Sequence, residues 1–361
     1  MPHAKTIECM PNSTRNKLKP QDVNASASKL QMADIARLAG VSTATVSRAL
    51  NKSALVNDAT RERIEQLARS LNYSINVGAK NFRLGHNRTI AVVVPYDVAT
   101  RQHLTDPFFL GMLGSIADAL TDRGFDMLLS RVDADKLDTV AQLHDSGRAI
   151  GIILIGQWRH HDQLNQLAQR NVPVVVWGAQ LPRQLYCTIG SDNVAGGFLA
   201  TEHLIKTGRK CIAFFGDVNL PEAAQRFEGY LKALSKYKIK LDKKLCVSVP
   251  FLAESARKAV HDLCKQQIHF DAIFACSDLL AMTAISTLRD EHLRVVDDVA
   301  VVGYDDIELA RYFHPPLTTI RQPIDLAGRA LVEALVEILE GAQAAPRLLP
   351  TQLIVRSTSG M

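Results

Sequence analysis

From residue 90 onward the chain alternates short, continuous apolar runs with longer amphipathic segments. That alternation leaves few folds open. The apolar runs fall at 90–94, 127–130, 151–155, 172–177, 212–215, 245–249, 272–275 and 299–303. Helical periodicity marks 109–123, 162–170, 195–207, 225–236, 253–266 and 279–292 between them. A strand that is apolar on both sides must be covered on both sides, which means a parallel sheet between helical layers. So many strand–helix units predict two doubly wound subdomains rather than one sheet. Ligands of such sheets sit outside the carboxyl ends of the strands. The residues to watch are therefore Pro95-Tyr96-Asp97, Ser130-Arg131, Gly156-Gln157-Trp158, Gly178-Ala179, Ser277-Asp278 and Tyr304-Asp305-Asp306.

The first quarter has a different texture. Residues 1–89 carry fourteen Lys/Arg against six Asp/Glu, whereas residues 90–361 carry 28 against 31. A basic segment on a slightly acidic body points to a nucleic acid or another anionic partner for that segment. Residues 1–29, rich in Ser, Asn, Lys and Pro, lack periodicity and are expected to be a disordered extension or an upstream start. Within 30–72 the spacing predicts three short helices. The first has Ile35, Leu38 and Ala39 on one face, and Gly40 turns the chain. Ser42 is a natural N-cap for the second, from Thr43, with Val46, Ala49 and Leu50 inward and Thr43, Ala44, Ser47 and Arg48 outward. The third runs from about Asp58 to Leu71. This is a helix-turn-helix pattern. A polar, basic linker, 73–88, leads to the body at 89–361.

Several chemistries lack their residues. The sequence holds no G-x-G-x-x-G or Walker sequence, no G-x-S-x-G and no H-E-x-x-H, so no enzyme and no cofactor is expected. His160-His161 lacks metal-ligand spacing and reads as a solvated turn. Six scattered Cys read as small core residues of a reducing compartment, not a disulfide framework. No signal-peptide core or long apolar run is seen, so a cytoplasmic chain without membrane contact is expected. A solute-binding protein with no regulatory role is the competing reading, and the helix-turn-helix pattern weighs against it.

The stretch Met32-Ala-Asp-Ile-Ala-Arg-Leu-Ala-Gly-Val-Ser-Thr-Ala-Thr-Val-Ser-Arg-Ala-Leu-Asn51 resembles the N-terminal signature of the lactose-repressor/galactose-repressor family of bacterial transcription regulators. Further segments resemble that family in order: 73–85, Asp106-Pro-Phe-Phe109, Gly190-Ser-Asp-Asn193, Arg226-Phe-Glu-Gly-Tyr230, Ser277-Asp278, Val301-Val-Gly-Tyr-Asp-Asp306 and Pro316-Leu-Thr-Thr-Ile-Arg-Gln-Pro323. The resemblance implies a homodimeric repressor of pseudo-palindromic operator DNA at the bacterial nucleoid. It also implies a carbohydrate effector held between two periplasmic-binding-protein-like subdomains. By position, Thr43, Ala44 and Arg48 would read base edges, and Ser42, Thr45 and Asn51 would hold phosphates. The linker matches a hinge helix that would meet the minor groove through Asn76, Lys80 and Arg83. Phe82 stands where the family usually wedges a leucine. In the effector half, Arg226 matches the ligand-anchoring arginine, Asp278 and Asp305 match acceptors, and Phe108 and Phe251 match apolar walls. Ser130 and Trp158 complete the expected effector set. Gly178-Ala179 replaces a frequent Asp-Arg pair. Subdomain crossings are expected near 192, 323 and 345. Helix 326–339 presents Leu331, Leu335 and Ile338 without a following heptad tail, which implies a dimer.

Overall fold

The computed structural model describes residues 32–50, 53, 55–71, 87–97 and 103–360. Two units make up the chain, dividing between residues 80 and 81.

In the first unit, α1 (Met32–Ala39), α2 (Thr43–Leu50) and α3 (Asp58–Ser70) follow the expected order. Gly40, at φ +64°, closes α1 while the Val41 N–H bonds back to the Ala36 carbonyl at 3.0 Å. Ser42 Oγ accepts from the Thr45 N–H at 3.1 Å and so caps α2. The small core joins Ile35, Ala36, Ala39, Val46, Ala49, Val56 and Ile64. Leu38, expected inward, is 58% exposed. At 100° per residue, Ile35, Ala39 and Ala36 span one stripe, and Leu38 falls about 60° outside its edge.

The second unit holds two six-stranded sheets. The first has the order β11-β5-β4-β3-β1-β2 and is parallel throughout. Its strands are β1 (Thr89–Tyr96), β2 (Asp126–Asp133), β3 (Gly151–Ile155), β4 (Val174–Trp177), β5 (Cys187–Ser191) and β11 (Arg347–Leu349). Helices α4 (Pro107–Asp122) and α12 (Ile324–Leu339) cover one face. Helices α5 (Ala141–Asp145) and α6 (His161–Gln169) cover the other. The second sheet has the order β12-β10-β9-β8-β6-β7. It comprises β6 (Ile212–Phe215), β7 (Cys246–Val247), β8 (Ala272–Ala275), β9 (Ala300–Asp305), β10 (Thr318–Arg321) and an antiparallel edge, β12 (Gln352–Ile354). It lies between α7 (Asn193–Lys206) with α8 (Pro221–Lys236) and α9 (Ala253–Lys265) with α10 (Asp278–Asp290). A short α11 (Glu308–Tyr312) follows β9.

The chain passes between the sheets three times: after Ser191, after Arg321 and after Leu349. The third passage comes a few residues beyond 345, because Arg347–Leu349 first pairs with β5. The sixth apolar run, 245–249, is strand only at Cys246–Val247, since a 3-10 turn occupies Lys243–Leu245.

Helix α7 crosses α8 at backbone contact. A Cβ on Gly197 would lie 2.1 Å from the Arg226 carbonyl oxygen, and one on Gly229 would lie 2.2 Å from that of Val194. Only glycine permits this approach. The result fixes the backbone from which Arg226 projects.

The cysteines among the described residues are unpaired, with Cys187 and Cys276 buried. Among the described residues no helix is long and apolar enough to cross a membrane, and no cluster of three metal-ligating side chains is found. His160 hydrogen-bonds the exposed Asp135 at 2.8 Å just before α6, and His161, half-buried in its first turn, hydrogen-bonds Tyr186 at 2.9 Å.

Candidate functional sites

A cavity opens at the carboxyl ends of strands from both sheets, as the topology requires. It encloses about 670 Å³ of atom-free space, part of it open to solvent. The first sheet and α4 contribute Gly156, Trp158, Trp177, Phe108 and Phe109. The second sheet contributes Arg226 from α8, Phe251 beyond β7, Ser277 after β8, Asp305 closing β9 and Gln322 after β10.

Arg226 is the central cation, only 6% exposed. Its Nε donates to Asn193 Oδ1 at 2.8 Å, and Nη1 donates to the Cys276 carbonyl. The guanidinium lies flat on Tyr304, 3.7 Å from the ring centre. These contacts leave three N–H bonds of the guanidinium for other acceptors.

Asp305 is buried and receives a hydrogen bond from Gln322 Nε2 at 2.7 Å. Gln322 also bonds Ser191 of the first sheet, so one side chain ties the two lobes behind the cavity. Asp305 and Asp306 have φ of +123° and +57°. Two successive non-glycine residues in that region store strain, a feature of functional strand ends. Burial raises the Asp305 carboxyl to about 7, with Asp106 adding to the rise while Arg226 and Gln322 oppose it.

This sets a pH signature. Native Asp305 keeps its proton up to about pH 7, whereas the unfolded chain releases it near the ordinary 3.8. The native state therefore binds more protons between those values, and this contribution to stability is lost as pH rises towards 7. The melting temperature of the wild type should fall relative to that of Asp305→Asn between pH 5 and 7.5, and the difference should then level off, with the pH values chosen to bracket the shift. Parallel curves for the two proteins would contradict the raised carboxyl.

Five of the seven effector residues expected from the sequence line the cavity: Phe108, Trp158, Arg226, Phe251 and Asp305. Two do not. Ser130 sits on β2, an edge strand that β1 separates from β3. At 4.7–4.9 Å per strand it is roughly 10 Å from the nearest cavity-lining strand. Asp278 is fully buried with both oxygens committed: Oδ1 to the Thr319 hydroxyl and Oδ2 to the Ile307 N–H at 2.9 Å. It braces the ends of β9 and β10, and its neighbour Ser277 faces the cavity instead.

Asp106, Glu222 and Gln322 also line the cavity; Asp106 and Gln322 belong to the family-like segments but were assigned no ligand contact, and Glu222 belongs to none. Asp106 caps α4 through the Phe108 N–H, ahead of Pro107. Glu222 follows Pro221 in the first turn of α8. Proline at the first helical position was the available signal in both cases. Gly178-Ala179 also finds its reason. The Gln157 amide bonds the Ala179 N–H and carbonyl at 2.9 and 2.7 Å, and a Cβ on Gly178 would lie 2.7 Å from Gln157.

In the first unit, Thr43, Ala44 and Arg48 are all exposed on α2, with Val46 and Ala49 buried behind them. Ser42 and Thr45 share a hydroxyl contact at 2.9 Å at the start of the same helix. Asn51, Asn76, Lys80, Phe82 and Arg83 lie outside the described residues.

Residues 31–76 match the family described as bacterial regulatory proteins, lacI family, and residues 201–359 match a periplasmic binding protein-like domain. The HTH-type transcriptional regulator CelR of Thermobifida fusca is 33% identical over 90% of this chain and 96% of its own length. The chain belongs to the lacI family of bacterial regulatory proteins. As a lacI-family protein it is a DNA-binding transcription regulator, with a helical reader ahead of a two-sheet ligand-binding fold. The HTH-type transcriptional repressor PurR of Haemophilus influenzae (strain PittEE) is 31% identical over 90% of this chain and 97% of its own. Among solved structures, a CelR–cellobiose complex aligns with a TM-score of 0.66 at 31% identity, covering 91% of this chain and 99% of that one. A Lac repressor dimer bound to operator and the anti-inducer ONPF aligns at 0.76 and 26%, covering 92% and 99%.

Proposed function

We propose that this lacI-family chain represses transcription as a homodimer on pseudo-palindromic operator DNA, in the cytoplasm, and that a small carbohydrate controls it. The observation that carries the ligand class is the cavity's composition. Flat aromatic walls, Phe108, Trp158, Trp177 and Phe251, face the polar groups of Arg226, Asp305, Ser277 and Gln322. Sugars present apolar ring faces to aromatics and hydroxyls to charge-assisted hydrogen bonds, which is the chemistry such a lining offers. The CelR relative was solved with cellobiose, which supports the reading.

The proposed domain division is a reader at 30–72, a hinge at 73–88 and a sensor at 89–361, with Phe82 of the hinge as a minor-groove wedge. Ligand held between the lobes favours one lobe angle, and the hinge transmits that choice. The shift can be no larger than the ligand's differential affinity for the two states. No turnover is part of this reading.

Dimerisation has a surface to support it. Parallel pairing sets Met127 and Leu129 of β2 beside Ile90 and Val92, on the face that α4 and α12 cover. The helical layer stops short of this edge, leaving Met127 38% and Leu129 41% exposed. A second copy would cover them.

The test is a gel shift on sequences selected from a random library, repeated across salt concentrations and with a sugar panel. Sequence-specific, salt-sensitive retardation that a sugar changes is expected. Retention of the DNA by no sequence above background would refute the repressor reading and leave a solute-binding protein.

A further inference from the structure

One polar atom at the cavity is unaccounted for. Among the described residues Glu222 Oε1 is buried without a hydrogen-bond partner, although the backbone N–H groups of Glu222 and Gln157 act on the same carboxyl. It belongs to a cavity-lining side chain in the first turn of α8, one turn before Arg226. A buried acceptor left open costs about 1–3 kcal/mol, and more when charged. Buried polar groups are nearly always paired, so an exception lining a cavity calls for an explanation.

The charge balance around it is lopsided. Among the described lining residues three are acids, Asp106, Glu222 and Asp305, and one, Arg226, is a cation. That cation is already shared, through Asn193, the Cys276 carbonyl and the Tyr304 ring. Burial raises the carboxyls of both Glu222 and Asp305. An incoming anion could meet Arg226 but would also sit beside these acids at low dielectric, and its binding would draw further proton uptake. A hydroxyl or ammonium would instead supply the donor that Oε1 lacks.

We propose that Glu222 Oε1 accepts a hydrogen bond from the ligand, and that the cavity admits neutral or amino sugars and rejects phosphorylated and carboxylated ones. This rests on the carbohydrate reading above and narrows it by charge.

The experiment uses the full chain with glucose, cellobiose, glucosamine, glucose 6-phosphate and glucuronate, read by melting temperature and by calorimetry. The largest stabilisation should come from a neutral or amino sugar. Glu222→Gln should weaken that sugar at least about tenfold, a loss consistent with one charged hydrogen bond. It should also narrow the discrimination against the acidic sugars. Without ligand, the variant's melting temperature should stay level or rise, because a desolvated carboxyl with an open acceptor has been replaced; a purely structural glutamate would lower it. Glu222→Ala should show the same loss with no amide to substitute as a donor. An acidic sugar binding best, or unchanged affinity in both variants, overturns the inference while leaving the carbohydrate reading in place. No response to any sugar overturns both.

Discussion

Arg226→Lys is expected to abolish the ligand response while leaving operator binding without ligand intact. Lysine keeps the charge but loses the planar fork, and with it the simultaneous reach to Asn193, the Cys276 carbonyl and the ligand. Hydrogen bonds to charged groups contribute about 1.5–3 kcal/mol each, so losing the ligand's share should weaken binding on the order of a hundredfold. The substitution should also destabilise the protein by about 1–3 kcal/mol, since buried acceptors lose a donor. Lysine is the sharper probe than alanine, which would leave those acceptors wholly unpaired. Calorimetry with the most stabilising sugar, alongside a gel shift without sugar, separates the two effects. An unchanged dose response would remove Arg226 from the site.

The second large effect concerns the reader. Arg48 is exposed on α2 beside Thr43 and Ala44, and is the one member of that trio with a bidentate donor. Thr43 offers a hydroxyl and a methyl, and Ala44 a methyl alone. Arg48→Ala should therefore cost about 1–3 kcal/mol of discrimination at one base pair, roughly ten- to a hundredfold in specific affinity. Non-specific binding at low salt should change far less, because it depends on the summed basic charge. The comparison requires the same selected sequence, the same salt and both proteins. Equal specific affinity would show that Arg48 reads no base.

Much of this architecture was legible because the strands of a doubly wound sheet are written as apolar blocks. Gly151–Ile155, Ile212–Phe215 and Ala272–Ala275 have the bounds read from the sequence. Four strands escaped. Cys187–Ser191 is entirely buried, yet it reads Cys-Thr-Ile-Gly-Ser and has no apolar block to see. Thr318–Arg321 is half threonine and lies near prolines. Arg347–Leu349 and Gln352–Ile354 are edge strands of three residues, held by their neighbours more than by their own composition.

The site shows the same division. Asp305 was readable from strand-end position and family resemblance, and Arg226 from the resemblance alone. Asp278 misled because a carboxylate at a strand end serves equally well as a buried brace, and only its two partners distinguish the roles. Glu222 was missed because apolar periodicity begins one turn into a helix. The first turn is marked by proline and caps, which carry no stripe. Leu38 shows the limit of three-residue spacing as a guide to which face is buried.

The glycine contact between α7 and α8 bears on how such a sensor can be re-targeted. With the Arg226 carbonyl pressed against Gly197, and Gly229 against Val194, the α8 wall cannot retreat to make room for a bulkier ligand. New specificity must be carved from the opposite wall, where Phe108 and Trp158 end in side chains that can be shortened without moving a backbone. A selection for altered effectors should therefore accumulate its substitutions on the first-sheet side, with the arginine wall retained as a fixed gauge.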